Sequence, residues 1–388
     1  KPWYSRGFCS IYGEWESTPE AKTVARSFSE SLRFPEPPGP VRIRLQKRDA
    51  HNRFQEVWQF RLDPRDQAID RALPPSAGER IALQQSGDPS TKVDFLILGD
   101  GYTAAERGKF EKDARRLMEQ LFATSPFKEH RRDFNVWALC PPSQESGISR
   151  PSTGIHRRSA LGCSYDAFGS ERYVLTFENR TLRDVASQAP YEFMEILVNG
   201  QTYGGGGIFG LYGTVASDNA FSPYIFVHEF GHHFAGLADE YYTSDVAYET
   251  GSEHRLEPWE PNATADPQNP KWKALLTPGI PLPTPWAKAA FEKESYAFQK
   301  ERAKLRAEQR PEREMEALME RQKQKDAALL GQDRWSGKVG AFEGANYEAT
   351  GYYRAQEDCI MFTRNTIPFC AACQAAIARV IALYDGSK

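Results

Sequence analysis

Apolar and polar residues alternate along "VRIRLQKRD" (41–49) and "FQEVWQFRLDP" (54–64), with "AHNR" between them. A period of two marks a strand with one buried face, so the pair predicts a hairpin. Proline-rich stretches, "FPEPPGP" and "LPPSAGE", bracket it. Residues 1–90 are therefore expected to form a small all-β, sandwich-like accessory domain, with substrate docking as its alternative role. From residue 91 the texture changes. "VDFLIL" is a continuous apolar run, as in a strand covered on both faces. Thr103 followed by Glu106 predicts a capping box, and the helix behind it should run to about Phe122. "FNVWAL", "RYVLTF" and "YEFMEILVN" read as further strands. Residues 91–388 thus predict an α/β domain, and the whole chain an α+β, multidomain architecture.

Three stretches interrupt this pattern. "GDG" (99–101) lacks the spacing and the lysine of a phosphate loop, so it reads as a strand-to-helix turn. "YGGGG" (203–207) is nearly free of side chains and predicts an edge beside a cleft. Residues 286–332 are dominated by Ala, Glu, Lys, Arg and Gln. Their composition predicts a helical hairpin inserted into the second domain, its second helix beginning at Pro311. It is expected to be a solvated excursion rather than a partner-binding arm.

The candidate chemistry lies in "SPYIFVHEFGHHFAGLADEYY" (222–242). Ser222 and Pro223 predict a helix start, and Gly236 its end. His228 and His232, four apart, project from one helical face and can meet a single ion. Glu229 is placed to reach a water on that ion without being a ligand. This is H-E-x-x-H, the signature of zinc hydrolases, in which the metal acidifies water and the glutamate acts as base. His233 is one step out of register and is expected to have a supporting or surface role.

A third ligand would fix the subclass. Metzincins continue the motif as H-E-x-x-H-x-x-G-x-x-H, but Ala235 and Ala238 stand at the last two marked places. Gly236 and Asp239 each fall one position later. A helix longer by one residue before the same turn makes Asp239 the expected oxygen ligand. Glu240 is the near competitor. Glu249, Glu253 and Glu257 are more distant ones, because other zinc peptidases take a glutamate from a downstream helix. Met361 precedes the C-terminal helix, where a Met-turn would lie beneath the metal.

Taken together, "DFLILGDGYT", "YGGGG", "HEFGHHFAGLADEYY", "EPWEPN", "GAFEGANY" and "CIMF…FCAAC" resemble the bacterial IgA-peptidase family of zinc metallopeptidases. The resemblance covers roughly residues 93–280 and 336–380. It implies a metzincin-like α/β catalytic domain that hydrolyses peptide bonds outside the cytoplasm. It further implies one catalytic zinc on His228, His232 and Asp239, with Glu229 as base. The charged segment 286–332 has no obvious counterpart in the family pattern, and immunoglobulin cleavage is not carried over. "SQESG" (143–147) resembles a family segment near the cleft, without a deducible role. Tyr241, Tyr242, Tyr352 and Tyr353 are candidates to stabilise the oxyanion, none preferred.

Composition narrows the partners. A net charge of -3 gives no basic field for nucleic acid or an anionic membrane, and no apolar run approaches a membrane span. A protein or peptide substrate, glycoproteins included, is expected. Oligomeric state is not readable. The start at Lys1 is expected of a chain whose leader has been removed or trimmed. Six cysteines, an even count, fit an oxidising compartment with some bridges and also fit six reduced thiols, and an extracytoplasmic location is expected. Cys370 and Cys373 have the spacing of half a zinc ribbon, but no second C-x-x-C exists, so a disulfide from Cys359 to one of them is expected. Two other functions compete. One is a zinc hydrolase of another amide, in a cell-wall or glycan-linked substrate. The other is a catalytically silent binding protein on the same fold, against which the retained Glu229 argues.

Overall fold

A computed structural model describes residues 2–49, 51–244, 246 and 256–384. The N-terminal part carries helix α1 (Ile11–Glu16) and strands β1 (Val41–Arg48) and β2 (Phe54–Leu62), paired antiparallel in a two-stranded ribbon. The alternation correctly marks both strands. A sandwich, however, needs two packed sheets, and among the described residues this ribbon pairs with no third strand. Phe54, Val57, Trp58 and Phe60 of β2 stay exposed. The segment before the ribbon packs on the rest of the chain instead, with Ile11, Cys9 and Phe28 on its second core.

The remaining strand of the first ninety residues, β3 (Ile81–Gln84), belongs to the main sheet. That sheet has six strands in the order β3-β5-β4-β6-β8-β7. Its members are β4 (Val93–Asp100), β5 (Phe134–Leu139), β6 (Phe193–Val198), β7 (Gly205–Ile208) and β8 (Tyr212–Ala216). The four central strands run parallel, and the edge strands β3 and β7 pair antiparallel. Every residue of β4, β5 and β6 is buried, which is why they read as unbroken apolar runs. Alternate side chains of β4 feed two cores: Val93, Phe95 and Ile97 face one, Leu96 and Leu98 the other.

Helix α2 (Arg107–Ala123) follows a capping box in which Thr103 and Glu106 satisfy each other's backbone N–H groups. With α4 (Ser222–Ala235) and α7 (Ala371–Ile381) it covers the first core. Helix α3 (Asn179–Ala186) lies against the second. "RYVLTF" makes isolated bridges, Tyr173 to Gly205 and Leu175 to Ser164, rather than the expected strand. A small sheet, β10-β11-β9, joins β9 (Ala263–Thr264), β10 (Phe342–Ala345) and β11 (Glu348–Arg354).

The charged segment does form a hairpin, of α5 (Lys288–Ala307) and α6 (Glu312–Leu329), with Pro311 just outside the second helix. It is not a solvated excursion. Phe291, Phe298, Met315, Leu318 and Met319 are buried in the first core, and Phe298 and Gln322 face the functional cleft. No helix of the described residues is long and apolar enough to cross a membrane.

Candidate metal centre and active site

Helix α4 positions the histidines. Ser222 is its first residue rather than its cap, and its hydroxyl donates to the carbonyls of Ala216 and Asn219. Gly236 ends the helix in the left-handed conformation, φ 61°, which turns the chain back toward the helix. An added Cβ there would lie 2.7 Å from the Trp259 ring. Edge strand β7 runs along α4, and its glycines are the reason it can. A Cβ on Gly207 would lie 2.4 Å from the Glu229 carbonyl and 2.9 Å from the His232 Cβ. "YGGGG" is therefore an edge beside the cleft, as its composition suggests, and the α4 backbone fills the space its side chains would need.

The Gly236 turn brings Asp239 onto the histidines. Its Oδ1 stands 3.0 Å from His228 Nε2 and 3.2 Å from His232 Nε2, and the two Nε2 atoms are 3.2 Å apart. Both Nδ1 atoms lie on backbone carbonyls, His228 on Ile360 at 3.0 Å and His232 on Leu237 at 2.6 Å. Carbonyls only accept, so each Nδ1 carries a proton and Nε2 is the ring atom left to face Asp239. Asp239 Oδ1 is itself buried without a hydrogen-bond partner. Two ring nitrogens and a carboxylate oxygen thus converge in a buried place that calls for positive charge between them, a proton on a ring Nε2 or a metal ion in its stead. Three corners of a tetrahedron with arms of about 2.0–2.1 Å stand about 3.3 Å apart, close to the spacing found. The residues fit a zinc-type ion.

Electrostatics show how strongly this carboxylate draws positive charge. Burial works against the Asp239 carboxylate, yet His232 and His228 hold it well below its ordinary range. Burial likewise opposes charge on His232, but Asp239 outweighs it and lifts the ring to about 9. Glu229 lines the same cleft and offers an oxygen within 4.8 Å of the His228 and His232 ring nitrogens. Burial raises its pKa, the direction a proton acceptor working near neutrality needs.

The other carboxylates point elsewhere. Glu240 Oε1 accepts from Asn262 and faces cysteines, and Glu257 accepts from Thr264 and Ala265. Glu249 and Glu253 lie outside the described residues. His233 faces away from the cleft and is buried rather than superficial. Its Nε2 accepts from Met194 N–H and its Nδ1 donates to Ile208, tying α4 to the sheet. Burial drops its pKa to about 3 and keeps it neutral.

Met361 is fully buried beneath the helix, its Sδ 3.3 Å from where a Gly231 Cβ would stand. The Glu240 N–H donates to its carbonyl. Among the tyrosines, Tyr241 stacks on His228, whereas Tyr242 packs on Phe291 and Phe362, and the Tyr352 hydroxyl donates to Leu256. Tyr353 lies in β11, paired with β10 and β9, and does not line the cleft. Sequence reasoning missed Tyr347, whose hydroxyl donates to Asp239 Oδ2, and Arg172, stacked on Tyr241 in the cleft. Nothing local marks either, since Tyr347 lies 108 positions from its carboxylate.

"SQESG" does not line the cleft. Ser143 and Ser146 instead brace the Gly101 turn and the Glu106 cap. The cysteines are all free thiols: Cys373 Sγ stands 4.0 Å from Cys359 and 3.4 Å from Cys370, against about 2.05 Å for a disulfide.

The cleft encloses about 720 Å³. Its walls come from α4, β7, the hairpin α5–α6, the turn at Asn346–Tyr347 and, through Cys9 and Glu14, the N-terminal segment. A mixed scaffold that gathers ligating side chains and a buried carboxylate in one cleft has the layout of a metal-dependent hydrolase.

Comparison with known families agrees with that class. The family model of IgA Peptidase M64 matches residues 81–381, through the charged hairpin as well, and that of the Peptidase M64 N-terminus matches residues 1–59. The chain belongs to the IgA peptidase M64 family. It is accordingly a peptidase, and its clustered donors fit the metal dependence general to that family. No curated protein matches the chain.

Proposed function

We propose that this protein is a zinc-dependent, metzincin-like endopeptidase with His228, His232 and Asp239 as ligands and Glu229 as general base. The observation that carries the reading is the convergence of His228 Nε2, His232 Nε2 and a buried Asp239 carboxylate oxygen within 3.2 Å of one another. Zinc held there would polarise a scissile carbonyl and lower the pKa of water to about 7. Glu229 takes the proton of the attacking water and passes it to the leaving amine. Asp239 is held by Tyr347, and the His228 ring by Ile360, so the ligand geometry is fixed before substrate arrives. The Met361 segment under α4 serves as the Met-turn. Arg172 offers a fixed positive charge to a substrate carbonyl or carboxylate. The cleft's length of wall, from the hairpin to β7, suits a polypeptide, glycoproteins included. An extracytoplasmic location belongs to the same reading and rests on the family resemblance.

The test pairs metal content with turnover. Glu229→Gln should keep zinc and lose about 10²–10⁴-fold in kcat on protein substrates, the usual worth of a general base. Asp239→Ala should lose zinc. Zinc-loaded parent protein whose cleavage is indifferent to Glu229→Gln would overturn the proposed roles.

A further inference from the structure

Behind Asp239 lies a second group of ligating side chains that the peptidase reaction does not use. Glu240, Cys359, Cys370 and Cys373 are all buried and offer ligand atoms within 4.8 Å of one another. Cys373 Sγ stands 3.4 Å from Cys370 Sγ and 4.0 Å from Cys359 Sγ. Glu240 Oε1 is 3.6 Å from Cys370 Sγ and 3.5 Å from Cys373 Sγ. Around a tetrahedral zinc, with arms of about 2.3 Å to sulfur and about 2.0–2.2 Å to oxygen, neighbouring sulfurs stand about 3.8 Å apart and sulfur and oxygen about 3.5–3.7 Å. The two sulfur–sulfur distances bracket that value, the two sulfur–oxygen distances match theirs, and the remaining pairs lie within 4.8 Å. A disulfide would bring one pair of sulfurs to about 2.05 Å, and none is near it.

The surroundings also suit a bound cation. The backbone N–H groups of Cys370 and Met361 point at Cys359 Sγ, at 3.1 and 3.5 Å, so that sulfur acts as an acceptor. Glu240 Oε2 is buried with no hydrogen-bond partner, while Oε1 accepts from Asn262 and lies within hydrogen-bond distance of the Cys370 and Cys373 sulfurs. Cys370 caps α7, whose positive N-terminal end favours thiolates. Arg354 is fully buried nearby, but its guanidinium donates to the carbonyls of Glu343, Gly344 and Glu357. It tempers the negative charge without occupying the space between the four ligands.

We propose that Glu240, Cys359, Cys370 and Cys373 form a second, structural metal centre of Cys₃Glu type that takes zinc. Four protein ligands close the coordination sphere and leave no position for water, so the centre is structural rather than catalytic. It ties three segments together: the Gly236 turn at Glu240, the Cys359–Met361 segment and the start of α7. Glu240 adjoins Asp239, and Ile360 holds His228. The centre therefore braces two of the three proposed catalytic ligands from behind.

The experiment counts and types the metal in the purified full-length chain. The parent should hold two zinc ions, Cys370→Ser/Cys373→Ser one, and His232→Ala one. Cobalt-loaded parent should show a near-ultraviolet thiolate-to-cobalt charge-transfer band, and His232→Ala should keep it. Histidine and carboxylate ligands alone give no such band, so failure at the catalytic site and failure here are told apart. If the double serine variant does not fold, the cobalt spectrum of the parent decides. A single zinc lost in His232→Ala with no thiolate band would overturn the proposal. An intact mass two hydrogens light, showing a disulfide, would overturn it equally.

Discussion

Among the glycines of β7, Gly207 leaves the least room for a side chain against α4, and Gly207→Ala is the perturbation that probes it. The added Cβ would sit 2.4 Å from the Glu229 carbonyl oxygen and 2.9 Å from His232 Cβ, where ordinary contact begins at 3.4 Å. Neither neighbour is the loose end of a side chain. The carbonyl belongs to the helical ladder, and the Cβ belongs to a proposed ligand. About 1 Å must open between β7 and α4, and β7 is held by the Val174 N–H on Gly205 and the Gly210 N–H on His233. Overpacking of this kind costs about 1–3 kcal/mol. A displacement of about 1 Å at reacting groups costs about 10²-fold in rate. Guanidinium unfolding should therefore show a loss of that size, and kcat should fall in parallel with partial loss of zinc. Gly108→Ala is the control. Nothing lies within 4 Å of its added Cβ on α2, so it should gain about 0.5–1 kcal/mol. Gly207→Ala unfolding within about 0.5 kcal/mol of the parent, at parental kcat, would refute the account of why β7 is glycine.

His233→Leu should lose about 2–4 kcal/mol in urea unfolding, because Met194 N–H and Ile208 C=O are left unpaired, while zinc content stays at the parental value. Loss of zinc without loss of stability would instead make His233 a ligand. Tyr347→Phe removes the donor on Asp239 Oδ2 and should weaken zinc binding about 10–100-fold in a chelator competition, with little change in melting temperature. Acid stability should depend on Glu106. Burial opposes its ionisation, but hydrogen bonds from Thr103, Ser146 and Asn199 outweigh that and lower its pKa to about 2. Its contribution is therefore full above the unfolded value of about 4.3 and is lost as pH falls from there through 2. Glu106→Gln should flatten the pH dependence of stability over that window, and an unchanged profile would contradict the assignment.

What the sequence by itself determined is what short-range geometry encodes. The four-residue spacing of His228 and His232 puts both imidazoles on one helical face whatever surrounds them. The glycine at 236 stops that helix, Thr103 and Glu106 cap another, and unbroken apolar runs mark the central strands. The tertiary structure decided what depends on residues far apart in the chain. Alternation shows that a strand has two faces but not how many strands will pair with it, so the ribbon at 41–62 was legible and its lack, among the described residues, of a third strand was not. The composition of 286–332 gives helices, yet the sparse apolar side chains Phe291, Phe298 and Met319 are enough to dock them against the first core. Cys370 and Cys373 look like half a site because the other two ligand atoms come from 11 and 130 positions away. A pattern of nearest neighbours carries no record of such meetings. Only the packing that brings α4, the Met361 segment and α7 together decides that Asp239 turns to the histidines while Glu240, the next residue, turns to the sulfurs.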